Sequence, residues 1–414
     1  MDRLDATRRV ARAAARLAKR AHRRRVRRHE HRTRSLMSNI PPGSTIGILG
    51  GGQLGRMTAM AARTLGYNVH VLDPDANCAA SPVADRVVAA KFDDALAAAD
   101  LAQQCDVVTL EIEQIGVDAL AAAERHAPVR PGRAVLSVIQ DRAAQKRWLS
   151  SHQFPVGPYR EVATHRDLVA ASREFGSLFV KASRGGYDGR SQARVAAESE
   201  TAAAWSSLGE RHSVAEQALE LEAELSVMVA RNPRGETRVY APALNHHTRQ
   251  ILSWSVMPAP LPRPVMTRAQ QLARSIAEAF ELEGILAVEM FLLQDGTLLV
   301  NELAPRPHNS FHETEVSCAT SQFEQLTRAV CNLPLGDPRV LRPGAIYNLF
   351  GELWDAGAPR WDKALELTGV RLHLYGKRGA RPGRKMGHLS ATGDTAEDAL
   401  SRVRAAAAAL GASS

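Results

Sequence analysis

The stretch TIGILGGGQLGRM, Thr45 to Met57, constrains the fold of this chain more than any other. A short apolar run that ends in consecutive glycines and then takes up helical periodicity reads as a buried parallel strand, a tight turn and a helix. The helix LGRMTAMAARTLG ends at Gly66. The strand NVHVLD, the helix ALAAADLAQQ and the strand DVVTLE follow. Strands alternating with helices predict a doubly wound parallel sheet over residues 44–140.

Gly50, Gly52 and Gly55 stand in G-x-G-x-x-G register, and Asp73 closes the next strand, where a ribose-binding acid is expected. Taken alone, the loop suits a nicotinamide dinucleotide, and with it an oxidoreductase. The rest of the chain has to decide the ligand.

From about residue 160 the texture changes. SLFVKASRGGYDGRSQARV reads as two strands joined by a long glycine-rich tip, and residues 212–245 as successive antiparallel strands. The helix RAQQLARSIAEAFEL precedes a hairpin at 285–303, and a small final module carries its own strand, GVRLHLYGK. The expected class is α/β and α+β.

Charge is unevenly spread. Of 53 Lys and Arg and 44 Asp and Glu, the first 36 residues hold 14 and 3, so the remainder is slightly acidic. The basicity belongs to a tail, which argues against nucleic acid as the ligand of the folded part. The tail reads as a targeting peptide, as an anion-binding arm, or as residues upstream of a true start at Met37. Cys78, Cys105, Cys318 and Cys331 show no metal spacing. They fit ordinary packing in a reducing, cytoplasmic compartment. No apolar run reaches the ~18–20 residues of a membrane helix.

Four clusters carry chemistry. With Asp295-Gly296 read as a two-residue hairpin turn, Glu289 and Glu302 become direct cross-strand neighbours. Facing carboxylates repel unless one is protonated or a cation lies between them, and hard oxygens suit Mg²⁺. The alternative is an edge pair splayed into solvent. Lys181 and the glycines of KASRGGYDGRSQ suit phosphate oxygens, or else form a flexible tip. Arg306, His308, Asn309, Ser310 and His312 share a proline-stiffened loop, in which His308 and His312 also offer a zinc pair. Lys377, Arg378, Arg381, Arg384 and Lys385 form a turn-rich basic segment, suited to a phosphate or simply solvated.

The ordered set GILGGGQLGRM, TLEIE, DRAAQK, GGYDGR, AEQ, NELAPRPHNS, TSQFEQ and GRKMGHL, over residues 44–410, resembles the N5-carboxyaminoimidazole ribonucleotide synthases, a family of ATP-grasp enzymes. The basic tail (1–43), expected to be disordered, lies outside the resemblance, which implies a pre-ATP-grasp domain (44–140). It also implies an ATP-grasp core (141–345) with a mobile lid at about 150–215, and a C-terminal domain (346–414). It implies carboxylation of 5-aminoimidazole ribonucleotide with ATP, bicarbonate and Mg²⁺, in a homodimer that hands its product to a mutase.

Carried over by motif, Arg142 and Lys181 contact ATP phosphates, with Gly186, Tyr187, Asp188, Gly189, Arg190, Ser191 and Gln192 covering them. Glu216 and Glu224 hold adenine and ribose, with Gln217, Ala218, Leu219 and His247 lining the nucleotide site; Glu289 and Glu302 bind Mg²⁺ beside Asn301. The aminoimidazole substrate meets Gln53, Leu54, Glu111, Tyr187, Asp188, Arg190, Arg306, His308, Asn309 and Ser310, and its ribose phosphate meets Lys377 and Arg384. The resemblance puts catalysis on Lys181, Asp188, Arg190 and His308, with Asp188 orienting or deprotonating the amine.

Three positions depart from the family pattern. Phe311 replaces a glycine and threatens the substrate pocket, Leu244 replaces a polar residue near His247, and Ser191 replaces a loop glycine. A formate-dependent glycinamide ribonucleotide transformylase is the nearest alternative, because it keeps the ATP site and changes the acyl donor.

Overall fold

A computed structural model describes residues 39–185, 191–355 and 357–412. Residues 1–38 of the basic tail fall outside them, as does most of the glycine-rich tip. Three sheets organise the rest. The first is parallel, in the order Arg86–Ala89, Asn68–Asp73, Thr45–Leu49, Val107–Leu110. Thr45–Leu49 is central and buried, as an apolar run between two parallel neighbours must be. The helix Gln53–Thr64 leaves directly from the glycine turn.

The second sheet is small and antiparallel, in the order Tyr159–Val162, Ser213–Gln217, Leu178–Ala182, Gln192–Val195. The helix His165–Phe175 packs on it, opened by a reciprocal capping box between Thr164 and Asp167.

The third sheet holds nine strands among the described residues. Its order is Leu298–Ala304, Gly284–Leu293, Leu221–Arg231, Ala243–Thr248, Ile251–Met257, Gly344–Phe350, Lys385–Thr392, Val370–Leu374, with Thr237–Val239 paired to Leu221–Arg231. The strands of the final module therefore continue the body's sheet, through Ile251–Met257 against Gly344–Phe350. The helix Ala396–Ala409 covers the far end with Ala399, Val403, Ala406 and Ala407.

One apolar core joins the first sheet to the body, with Ile46, Ile48 and Val69 packing in the same cluster as Met228, Ile285 and Leu326. Arg130 is buried at this junction, its Nε 2.8 Å from Glu283 and its Nη1 donating to the Val330 carbonyl. A buried guanidinium is tolerated only when paired and hydrogen-bonded, which fixes the junction's geometry.

Candidate functional site

The three sheets converge on a cavity of 1310 Å³. Its wall at the glycine turn answers the question raised by the opening motif. Gly50 adopts φ of +109°, which favours glycine, and a Cβ at Gly55 would lie 2.4 Å from the Gly50 carbonyl oxygen. Asp73, placed where a ribose acid was expected, instead accepts from the Gly51 N–H at 2.8 Å. Glu111 reaches over the start of the helix Gln53–Thr64 and accepts from the Leu54 N–H at 3.3 Å. A helix N-terminus attracts anions, and in dinucleotide folds the pyrophosphate sits there. Here the protein's own carboxylate takes that place, and a Cβ at Gly52 would come within 2.4 Å of it. The nicotinamide reading is thereby overturned. Burial pushes the Glu111 carboxyl up to about 7, against the pull of Arg306, the Gly52 N–H and Lys377.

Across the cavity, Glu289 and Glu302 are direct cross-strand partners, as expected, but not for the expected reason. The turn is one residue longer than two: Leu293 pairs with Thr297 around Gln294, Asp295 and Gly296. That loop shifts the register by one, so Met290 faces Val300. A bulge beside Glu289 then restores the register and leaves Asn301 unpaired in the ladder. Two errors in the sequence reading cancel.

The Asn301 Oδ1 is buried and has no hydrogen-bond partner among the described residues. Each carboxylate already holds a nitrogen partner: His308 Nε2 lies 2.9 Å from Glu289, and the Arg142 guanidinium Nη1 2.8 Å from Glu302. Burial alone would raise the Glu289 pKa, but His308, His247 and Arg306 outweigh it and hold the carboxyl at about 2. The pair is not splayed into solvent.

Lys181, on the second sheet, donates to Glu216 at 2.7 Å, and Lys146 approaches the other oxygen of Glu216 at 3.3 Å. Sequence reasoning missed Lys146, although it lies four residues after Arg142, on the same helical face. Further along the wall, His247 lies 3.1 Å from Glu224, beside a bulge between His246 and His247. Burial disfavours the charged ring, and Glu224 more than offsets this, raising its pKa.

The two remaining clusters meet at Gln53. Its side-chain amide donates to Asn309 at 3.2 Å, and its oxygen accepts from Lys377. Lys377 also donates to the Lys385 carbonyl and lies 5.4 Å over the Tyr375 ring. Arg306 is 2.7 Å from Glu113. Lys385 is not in a loop as expected. It opens the strand Lys385–Thr392 and is buried. Arg384 precedes it, donating to the Arg378 and Gly379 carbonyls.

Gln53, Leu54, Glu111, Arg142, Lys181, Gln192, Glu224, His247, Glu289, Asn301, Glu302, Arg306, His308, Asn309, Lys377 and Arg384 all line the cavity. The side chain of Leu54 packs with Met57, Phe323 and Tyr375. Ser191, Glu216, Gln217, Ala218 and Leu219 are not among the wall residues, nor is Ser310. The Ser310 hydroxyl is buried between Ser226 and His308. Gly186, Tyr187, Asp188, Gly189 and Arg190 lie outside the described residues.

Phe311 does not crowd the site. It is fully buried, its ring 6.3 Å from that of Tyr240 within the core. Nor do His308 and His312 form a zinc pair. His308 faces Glu289, whereas His312 is buried and stacked 4.6 Å from His388.

Residues 44–140 match the ribonucleotide synthetase preATP-grasp domain, residues 147–323 the ATP-grasp domain, and residues 344–402 the phosphoribosylaminoimidazole carboxylase C-terminal domain. The N5-carboxyaminoimidazole ribonucleotide synthase of Bacillus subtilis is 41% identical over 352 residues, 85% of this chain and 92% of that protein. The chain belongs to the N5-carboxyaminoimidazole ribonucleotide synthases. The synthase of Brucella melitensis is also 41% identical, over 85% of this chain and 97% of its own. A synthase crystallised with ADP superposes with a TM-score of 0.85 at 41% identity, covering 89% of this chain and 97% of that one. The Aspergillus clavatus synthase, in complex with ADP and 5-aminoimidazole ribonucleotide, superposes with a TM-score of 0.81 at 31% identity, over 89% and 98%. Membership of this family places the ATP-grasp architecture, not the transformylase's acyl chemistry, behind the cavity.

Proposed function

We propose that the cavity carboxylates 5-aminoimidazole ribonucleotide on its exocyclic amine, with ATP and bicarbonate as co-substrates. The observation that carries this is Gln53, which ties the basic Lys377–Lys385 segment to Asn309 at a helix start closed to dinucleotides by Glu111. That corner suits a small ring bearing one phosphate: amide and carboxylate groups face the ring, and Lys377 and Arg384 the phosphate. The Aspergillus clavatus relative crystallised with this same ribonucleotide supports the assignment.

ATP lies on the other side, with its phosphates toward Lys181 and Arg142 and its ribose toward Glu224 and His247. Glu289, Glu302 and the orphaned oxygen of Asn301 form a hard, oxygen-rich donor set, which fits Mg²⁺. When bound there, the ion neutralises phosphate charge. Bicarbonate is a poor electrophile, so its oxygen takes the γ-phosphoryl group, giving carboxyphosphate and ADP. Breakdown of carboxyphosphate releases inorganic phosphate and delivers CO₂ to the substrate amine, which loses a proton. The chain's own residues position these groups and neutralise their charge, which is most of what phosphoryl transfer requires. Exclusion of water protects carboxyphosphate, and the family motif assigns Asp188 and Arg190, which lie outside the described residues, to the substrate. Within this proposal Asp188 receives the amine proton and His308 orients the reacting groups beside Glu289.

The proposal extends to a homodimer and to delivery of the product to a mutase. Among the described residues no helix is long and apolar enough to cross a membrane. Incubation with ¹³C-bicarbonate, ATP, Mg²⁺ and the ribonucleotide tests the reaction itself. The label is expected in an acid-labile carbamate on the ribonucleotide, and its appearance elsewhere or nowhere refutes the proposal.

A further inference from the structure

The helix Arg142–Ser151 bridges two sheets. Arg142 reaches Glu302 of the large sheet, and Gln145 accepts from the Leu303 N–H there at 3.1 Å. From the same helix, Lys146 reaches Glu216 of the small sheet, while the Arg142 N–H donates to the Ser183 carbonyl at 2.9 Å. Lys146, Lys181 and Glu216 are 4, 9 and 8% exposed. Two buried ammoniums thus share one carboxylate, Lys181 on one oxygen and Lys146 on the other. Burial, with Lys181 and Arg142, lowers the Lys146 pKa against the pull of Glu216, and an anion at the cavity wall beside Lys181 would relieve this crowding of positive charge. Lys181 lines that wall and Lys146 does not.

We propose that Lys146 is a positioning residue for the nucleotide. By occupying the second oxygen of Glu216, it fixes the Lys181 ammonium and ties the small sheet to the helix that carries Arg142. The two phosphate-facing cations are then held at a set separation before ATP arrives, which lowers the ordering cost of binding. This inference rests on the reading of Lys181 as a phosphate contact.

The test compares Lys146→Met, Lys181→Met and the double variant by steady-state kinetics with each substrate varied. Lys146→Met leaves Glu216 paired with Lys181, so no buried carboxylate is orphaned. Its KM for ATP is expected to rise roughly tenfold, the scale of one hydrogen bond to a charged group. Its KM for the ribonucleotide and its kcat at saturating ATP should stay near the parent's. Because Lys146 acts through Lys181, the double variant, built with Glu216→Gln so that no buried carboxylate is orphaned, should bind ATP no worse than Lys181→Met carrying the same Glu216→Gln change. Lys146→Gln, which keeps an N–H donor for Glu216, should recover part of the loss and serves if the methionine variant does not fold. An unchanged KM for ATP in Lys146→Met with lowered thermal stability makes the residue merely structural and overturns the proposal. So do losses that multiply in the double variant. If Lys181→Met itself leaves the KM for ATP unchanged, the phosphate reading of Lys181 fails first, and the positioning role falls with it.

Discussion

Glu289 and Glu302 stand directly opposite each other because Asn301 is pushed out of the ladder beside them. The bulged Asn301, whose buried Oδ1 has no hydrogen-bond partner among the described residues, shares the cavity wall with the two carboxylates. Glu302→Gln is therefore expected to raise the Mg²⁺ concentration for half-maximal turnover at least roughly tenfold, since even outer-shell partners act on that scale. A Mg²⁺ titration at fixed ATP reads this directly, and an unshifted curve would remove Glu302 from the donor set.

Space around the glycine turn is equally specific. Gly52 has an ordinary backbone angle of −71°, so an alanine there meets no conformational barrier, only the Glu111 carboxylate at 2.4 Å. Gly52→Ala should cost about 1–3 kcal/mol of stability by overpacking and raise the KM for the ribonucleotide more than that for ATP. A shift in the urea midpoint checks the first part. Equal effects on both KM values would detach Glu111 from the ribonucleotide side of the cavity.

Phe311, suspected from the sequence of narrowing the pocket, belongs to the core. Phe311→Ala is expected to destabilise the protein by about 3–5 kcal/mol through lost burial and a residual cavity. Substrate KM values should hold wherever the variant remains folded. Tighter ribonucleotide binding with little loss of stability would put the ring back in the site.

Buried carboxyls also set a pH dependence. Glu111 is pushed up to about 7 by burial, so between pH 4.5 and 7 the folded state holds a proton that the unfolded chain has released. Stability accordingly falls as pH rises through that window. Glu315, likewise raised to about 7 by burial, adds to the fall. Glu216 and Glu289, held at about 2, act in the opposite sense: their contribution is present above pH 4.5 and is lost as pH drops toward 2. Glu111→Gln should remove a slope of at most about 1.4 kcal/mol per pH unit between pH 4.5 and 7, one proton's worth. Denaturant midpoints across that range measure it, and an unaltered slope would contradict the buried state of Glu111.

Much of this was legible in the residues themselves. The parallel sheet over 45–110 follows from local alternation, because strand, turn and helix each carry their own signal. The hairpin at Glu289 and Glu302 was read correctly only because the bulge at Asn301 offsets a longer turn. Bulges are set by the packing around a strand, and no local residue pattern announces this one. Pairing of Ile251–Met257 with Gly344–Phe350 joins strands almost ninety residues apart, a long-range choice that periodicity does not encode. Lys385 looked like a loop residue because the glycines and prolines before it mask the start of a buried strand. The family motif points Glu111 at the substrate, whereas its capping of the glycine turn depends on a contact across fifty-seven residues that no local pattern encodes.

The most direct measurement is ADP release by the purified protein in ATP, Mg²⁺ and bicarbonate, with and without 5-aminoimidazole ribonucleotide. Strong stimulation by the ribonucleotide, reduced in Lys377→Met through a raised KM for that substrate, is the expected result. ADP release that is indifferent to the ribonucleotide would contradict the proposed carboxylation.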